Sequence, residues 1–306
     1  MNGRIELIRA LALYGPILVV WVLWRYRRRS PRDGAALVVG MAWQLGTLPL
    51  LNQLAVHMDW WTFRATPYHC LGVPLELFVG WAVLWGAVPA VIRQGPLVVW
   101  VVLMGWFDLV AMPYFEPLTL LGERWLVGEA VLLVAGFLPG LCLIRWTQRG
   151  TQPGLRGAGQ TLSFALILFV ILPHAAGMPA PSYSPLFMAL YSLALIVVSL
   201  PGLAAVHAFA DYGEGTPLPL DPPQGLVTQG IYAYCRNPMQ VSMLLAVVVV
   251  GCFYQSALSV LVGFSLTLSY SFGFAAWSED HDLSERFGDA WKTYRDQVPA
   301  WWPRRR

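Results

Sequence analysis

Two hydrophilic stretches carry the residue types that could do chemistry. The first, over 213–240, reads GEGTPLPLDPPQGLVTQGIYAYCRNPMQ; the second opens after residue 277 as SEDHDLSERFGDAWKTYRDQVPAWWP. Asn237 and Pro238 suit the N-cap and first position of a helix, and Arg236 precedes them. A helix N-terminus beside a guanidinium is a seat for an anionic group such as a carboxylate. Glu279, Asp280 and Asp282 supply the opposite charge, and carboxylates this close to an apolar span are usually paired or functional. A cation pocket next to an anion pocket fits a zwitterion, of which an amino-acid moiety is the simplest. Taken alone, Arg236 would also serve as an interface anchor, and Glu279 with Asp280 as a solvated helix end.

The elements between these stretches must bring them together. The run 239–277 has 39 residues and no charged side chain. At about 1.5 Å per residue it makes about 58 Å of helix, roughly twice the ~30 Å of a bilayer core. Gly251, Gln255 and Ser256 mark the turn of a helical hairpin. A hairpin returns the chain to the side it left, so the loop and the tail meet at one membrane surface. Within the loop, Asp221-Pro222-Pro223 excludes helix and ladder, while Gly225 and Gly230 permit turns.

Composition sets the class. The 306 residues are 57% hydrophobic and 12% charged, with a mean hydropathy of +0.55, against about 25% charged in soluble domains. An all-α, polytopic transmembrane helical bundle follows. Apolar segments fall at 7–24, 35–56, 71–92, 96–115, 125–144, 158–175 and 185–209; with the hairpin they make about nine spans. If the loop at 25–34 is cytosolic and the spans alternate, 16 of the 20 basic residues lie inside, which follows the positive-inside rule. This places the N-terminus outside, and the polar loop and C-terminus on the cytosolic face of the cell (inner) membrane. A polar, Gly-rich connector, RWTQRGTQPGLRGAG, suggests an N-terminal five-span accessory region over 1–157 and a core over 158–306. The net charge of +3, carried by arginine with the one lysine Lys292, gives no nucleic-acid signature. The four cysteines are scattered, and His174 and His207 have no second ligand at metal spacing, so neither a disulfide nor a metal is expected.

The ordered pattern GxGTPxPxDPxxGLVTxGxYxYxRNPM, followed by an acidic pair and FGxxWxxYxxxVPxWxP, resembles the isoprenylcysteine carboxyl methyltransferase and phospholipid methyltransferase family over about 185–303. The resemblance implies a membrane methyltransferase that uses S-adenosyl-L-methionine on a lipophilic, isoprenoid or lipid-like acceptor drawn from the bilayer. It implies that Gln224, Gly225, Leu226 and Val227 line the cofactor groove and that Tyr232 packs on it. Asn237, Pro238, Met239 and Gln240 occupy the family's Arg-His-Pro-x-Tyr position and contact the cofactor. Glu279 matches the acidic residue that holds the cofactor ammonium, and Asp280 stands for a second Glu. Arg236 and Asn237 become the candidate catalytic pair. Asn237 replaces a histidine and Gln240 a tyrosine. Ala275 stands where eukaryotic members place an arginine that grips a substrate carboxylate, which argues against a prenylcysteine carboxylate. Sterol reductases share this C-terminal architecture, so an NADPH-dependent membrane reductase is the alternative.

The first half is less explicit. Gln44, Asn52, Asp59, Glu76, Asp108, Glu116 and Glu129 lie in or beside spans. WWTF followed by GVPLELF is similar to the Pro-Leu-Glu-Glu region of integral-membrane lycopene cyclases, but only Glu76 is present. These polar residues either pack helices together or help shape a lipid pocket.

Overall fold

Proline sets the shape of the apolar helices. The computed structural model describes residues 2–26, 30–64, 66, 68–93, 95–116, 118–178, 182–218, 220–269, 271 and 276–301, without the side chains of 2, 4 and 276–280. The chain divides into two compact units, 1–177 and 178–306. The connector at 145–157 is therefore not where the units part, and the sixth apolar segment belongs to the first unit.

The first unit contains α1 (Asn2–Arg25), α2 (Pro31–His57), α3 (Leu75–Ile92), α4 (Leu97–Phe115), α5 (Trp125–Arg149) and α6 (Pro153–Ala175). Three of these widen into a five-residue π turn, at Val83–Ala87, Leu133–Phe137 and Ile167–Ile171. Each π turn ends two residues before a proline: Pro89, Pro139 or Pro173. A proline ring clashes with the carbonyl four residues back and donates nothing to it, so the helix relieves the clash by widening. Lipid offers no donor to main-chain carbonyls, so neighbouring helices supply them where they can. In α5, the Gly136 carbonyl accepts from Trp43 Nε1 at 2.8 Å and Gln44 Nε2 at 3.4 Å, both from α2.

Close approach of α2 and α3 rests on glycine. A Cβ on Gly86 would lie 2.6 Å from the Gly40 carbonyl oxygen, and one on Gly40 would lie 2.5 Å from that of Gly86. Short strands cover the helix ends. Strand β1 (Trp61–Phe63) pairs antiparallel with β4 (Thr119–Leu121), and β2 (His69–Cys70) pairs with β3 (Val73–Pro74).

The second unit contains α7 (Pro185–Gly213), α8 (Pro238–Phe253), α9 (Ala257–Ser269) and α10 (Ala276–Gln297). The hairpin turn falls at 254–256 as the sequence predicts: Gln255 takes a left-handed φ of 52°, and Ser256 N donates to the Gly251 carbonyl at 3.1 Å. Inside α7, Pro201 precedes Gly202, whose N–H donates to Ser242 Oγ of α8 at 2.7 Å. Among the described residues, α1 to α7 hold seven stretches long and apolar enough to cross a membrane, and α8 and α9 are shorter. The bundle is all-α and belongs to a membrane protein; the expectation of about nine spans counts the two hairpin helices as full crossings.

Replacing Gly86 with alanine should cost about 1–3 kcal/mol by overpacking and lower the thermal midpoint of the detergent-solubilised protein. Gly15→Ala, where a Cβ would meet nothing within 4 Å, should leave the midpoint in place.

Candidate functional site

The polar loop is tied back on itself before it meets the tail. After α7, Glu214 takes φ 52° and Gly215 N donates to the Phe209 carbonyl at 3.2 Å. A Cβ on Gly215 would lie 2.5 Å from the backbone of Pro223, so the sequence Gly215…Pro223 closes only around glycine. Thr216 and Asp221, 1% and 3% exposed, join across this turn: Thr216 N donates to the Asp221 carbonyl at 3.1 Å and Thr216 Oγ1 to Asp221 Oδ2 at 3.3 Å. Gln224 N then donates to the Gly213 carbonyl at 2.7 Å.

Beyond this closure residues 224–227 split by polarity. Gln224 is exposed, Gly225 and Leu226 are half-buried, and Val227 is buried. Val227 packs with Ala205, Ala208 and Tyr232, and Met239 flanks that cluster. The Tyr232 ring stacks on Phe209 of α7 with centroids 5.1 Å apart and planes 8° apart. Pro238 is the first residue of α8, as predicted. Asn237 stands at the N-cap, but its side chain makes no cap hydrogen bond. The predicted capping role is corrected in that respect. The Asn237 and Gln240 side chains are half-buried and bond to no other group among the described residues.

The loop and the tail meet along a row of hydrogen bonds. Arg236 N donates to the Pro299 carbonyl at 3.0 Å and Asn237 N to that of Ala300 at 3.1 Å. Arg236 Nε donates to the Val298 carbonyl at 2.9 Å, and its guanidinium lies over the Trp291 ring, 5.7 Å from the centroid. Cys235 Sγ donates to the Ala300 carbonyl at 3.3 Å, and burial pushes its thiol above the ordinary range. Tyr294 Oη donates to the Tyr232 carbonyl at 2.8 Å. Arg286 reaches the Pro223 carbonyl at 2.6 Å and Asp282 at 3.2 Å. These contacts bring two stretches from opposite sides of the hairpin onto one surface. They also direct Arg236 partly toward main-chain carbonyls.

Sequence reasoning missed the depth of this joint. Trp291 and Tyr294 are 6% and 8% exposed and pack with Val298 and Leu226. The signal was Gly288: it takes φ 50° and ψ −122°, a region L side chains avoid, and bends α10 before Trp291. The backbone of Glu279 and Asp280 lies on the first turns of α10, while their side chains fall outside the described residues, as do Ala275 and Trp302. Arg295 lies 3.9 Å from Asp296.

The polar residues of the first unit are mostly absorbed by structure. Glu76 accepts from Arg9 Nε at 2.8 Å, Asn52 accepts from Trp61 Nε1 at 3.1 Å, and Gln44 serves the π turn of α5. The lycopene-cyclase-like Glu76 is thus one half of an ion pair.

The second unit is, by its fold, an apolar helical membrane module that clamps a polar loop onto a polar tail. Residues 189–290 match the model of the phospholipid methyltransferase family, so this stretch of the chain is similar to that family. The match runs from α7 into α10 and stops before Trp291, so the second half of the clamp lies beyond it. No curated protein sequence and no solved structure matches the chain.

Two variants test the clamp. Arg236→Ala removes a hydrogen bond from a charged donor, about 1.5–3 kcal/mol; limited proteolysis should cut the tail at least tenfold faster than in the wild type. Burial, opposed by the nearby Arg236, raises the Tyr294 phenol above its ordinary range. A raised folded value means that this group's contribution is complete below the unfolded value, about 10, and is lost as pH climbs above it. Tail protection should therefore fall above about pH 10, and Tyr294→Phe should protect less at neutral pH but flatten that fall.

Proposed function

We propose that the chain is an integral-membrane, S-adenosyl-L-methionine-dependent methyltransferase acting on a lipophilic, isoprenoid or lipid-like acceptor. The observation that carries this reading is the loop–tail joint inside and just beyond the family match. It sets Arg236, Asn237 and Gln240, at the N-terminus of α8, on the end of the hairpin to which the chain returns before Glu279.

The donor set suits such a cofactor. Asn237 and Gln240 offer amide groups that no described residue uses, beside the free N–H groups of a helix N-terminus, which favour a carboxylate. Glu279 and Asp280 carry the charge that would hold an ammonium. Leu226, Val227 and Met239 provide an apolar wall. When bound, the cofactor supplies a methyl group already activated by its sulfonium, so the protein need only align an in-line attack and exclude water. The clamp fixes the loop for that alignment. With Asn237 where a histidine would stand, this position orients by hydrogen bonding and carries no proton. An acceptor hydroxyl or ammonium must lose its proton to another group or to water.

The apolar faces of α7 to α9 leave the bilayer open to a lipophilic acceptor. The arginine distribution supports a cytosolic site, which a water-soluble cofactor reaches directly. Calorimetry on the full-length protein in detergent should show binding of S-adenosyl-L-methionine and none of NADPH. Glu279→Ala should weaken that binding at least tenfold. NADPH binding, or an unchanged affinity in the variant, overturns the assignment. Lipid extracts incubated with radiolabelled donor should then yield a labelled, extractable product.

A further inference from the structure

The first unit encloses a cavity that the methyl-transfer reading does not use. It has a volume of about 50 Å³ and lies among α2, α3, α4 and α5, next to β1 and β4. Its wall is strongly aromatic, with Trp61, Phe63, Phe78, Trp81, Trp85 and Phe115. Glu129 of α5 is the one ionisable residue lining it. This side chain is 5% exposed, and its Oε1 has no hydrogen-bond partner. Its neighbour is Asp108 of α4, 0% exposed, which accepts from Trp81 Nε1 at 3.1 Å and Trp85 Nε1 at 3.2 Å.

Two other acids of this unit have arginine partners. Asp33 lies 3.2 Å from Arg93, and Glu76 accepts from Arg9 at 2.8 Å. The Asp108–Glu129 pair has no basic partner among the described residues. A carboxyl oxygen without a donor, away from water, is costly. An anion would be repelled by the pair, and a pure hydrocarbon would leave the oxygen unbonded. A cation bearing N–H groups satisfies the oxygen, offsets the pair's charge and meets the negative faces of the surrounding rings.

We propose that this cavity is a binding site for the ammonium head of a lipophilic amine, held by Glu129 through a charge-assisted hydrogen bond. Size narrows the class. A cavity of roughly 150 Å³ accepts benzene, and this one has about a third of that volume. It admits an aminomethyl-sized head and excludes a quaternary ammonium or a ring. The hydrocarbon chain leaves past Phe63 and Phe115, which are half-buried.

Titrating the full-length protein in detergent with octylamine, octanol and octyltrimethylammonium tests the assignment. Octylamine should bind at least tenfold tighter than either of the others, read by calorimetry and by a rise in thermal midpoint. Glu129→Gln should lose that preference at least tenfold, while Arg236→Ala keeps it. Equal binding of octanol and octylamine, preferred binding of the quaternary amine, or an unchanged preference in Glu129→Gln overturns the proposal. The comparison of the three ligands on the wild type decides it even if Glu129→Gln fails to fold.

Discussion

Main-chain carbonyls that lose their helical partners away from water must be given donors, and both units are built around this requirement. In a bilayer no solvent can take over an orphaned group. In the first unit, indole and amide side chains of a neighbouring helix donate to a carbonyl within a π turn, as Trp43 and Gln44 do for Gly136. In the second unit the tail leaves α10 and offers the carbonyls of Val298, Pro299 and Ala300. The N–H groups of Arg236 and Asn237, with Arg236 Nε, satisfy them. One rule of bonding therefore explains helix packing in one unit and the loop–tail clamp in the other.

The clamp also shows how an irregular segment can be held rigid. Among its described residues the loop contains no helix beyond a single 3-10 turn at Gly230–Ala233, yet its parts are pinned in succession. Thr216 and Asp221 close its start, the Tyr232–Phe209 stack anchors its middle to α7, and the tail fastens its end. A segment so fixed can present polar side chains to a ligand without ordering on binding, which spares the entropy of ordering. Asn237 and Gln240, whose side chains bond to no other group among the described residues, sit where the helix dipole favours negative charge.

Charge is handled differently in the two units. In the first unit two acids join helices through arginine: Arg9 and Glu76 fasten α1 to α3, and Asp33 and Arg93 fasten the start of α2 to the end of α3. In the second unit the described charges on α10 stay near water, in pairs such as Lys292 with Asp289 at 2.8 Å. Exposed pairs of that kind contribute little to stability, so α10 is held by Trp291, Tyr294 and Val298.

The sequence by itself determined the all-α membrane class, the hairpin turn at Gln255, the start of α8 at Pro238 and the likeness of the C-terminal half to the phospholipid methyltransferase family. Each of these depends on local composition, on a residue with a restricted backbone or on an ordered motif, all of which a linear reading sees. Only the tertiary structure decided that Trp291 and Tyr294 are buried, that Asn237 makes no cap bond, that α6 belongs to the first unit and that Arg236 bonds the Val298 carbonyl. Those outcomes depend on which distant group supplies a missing donor or covers an apolar face. That choice is made by packing between segments up to 93 residues apart, as with Trp43 and Gly136, and no local pattern encodes it.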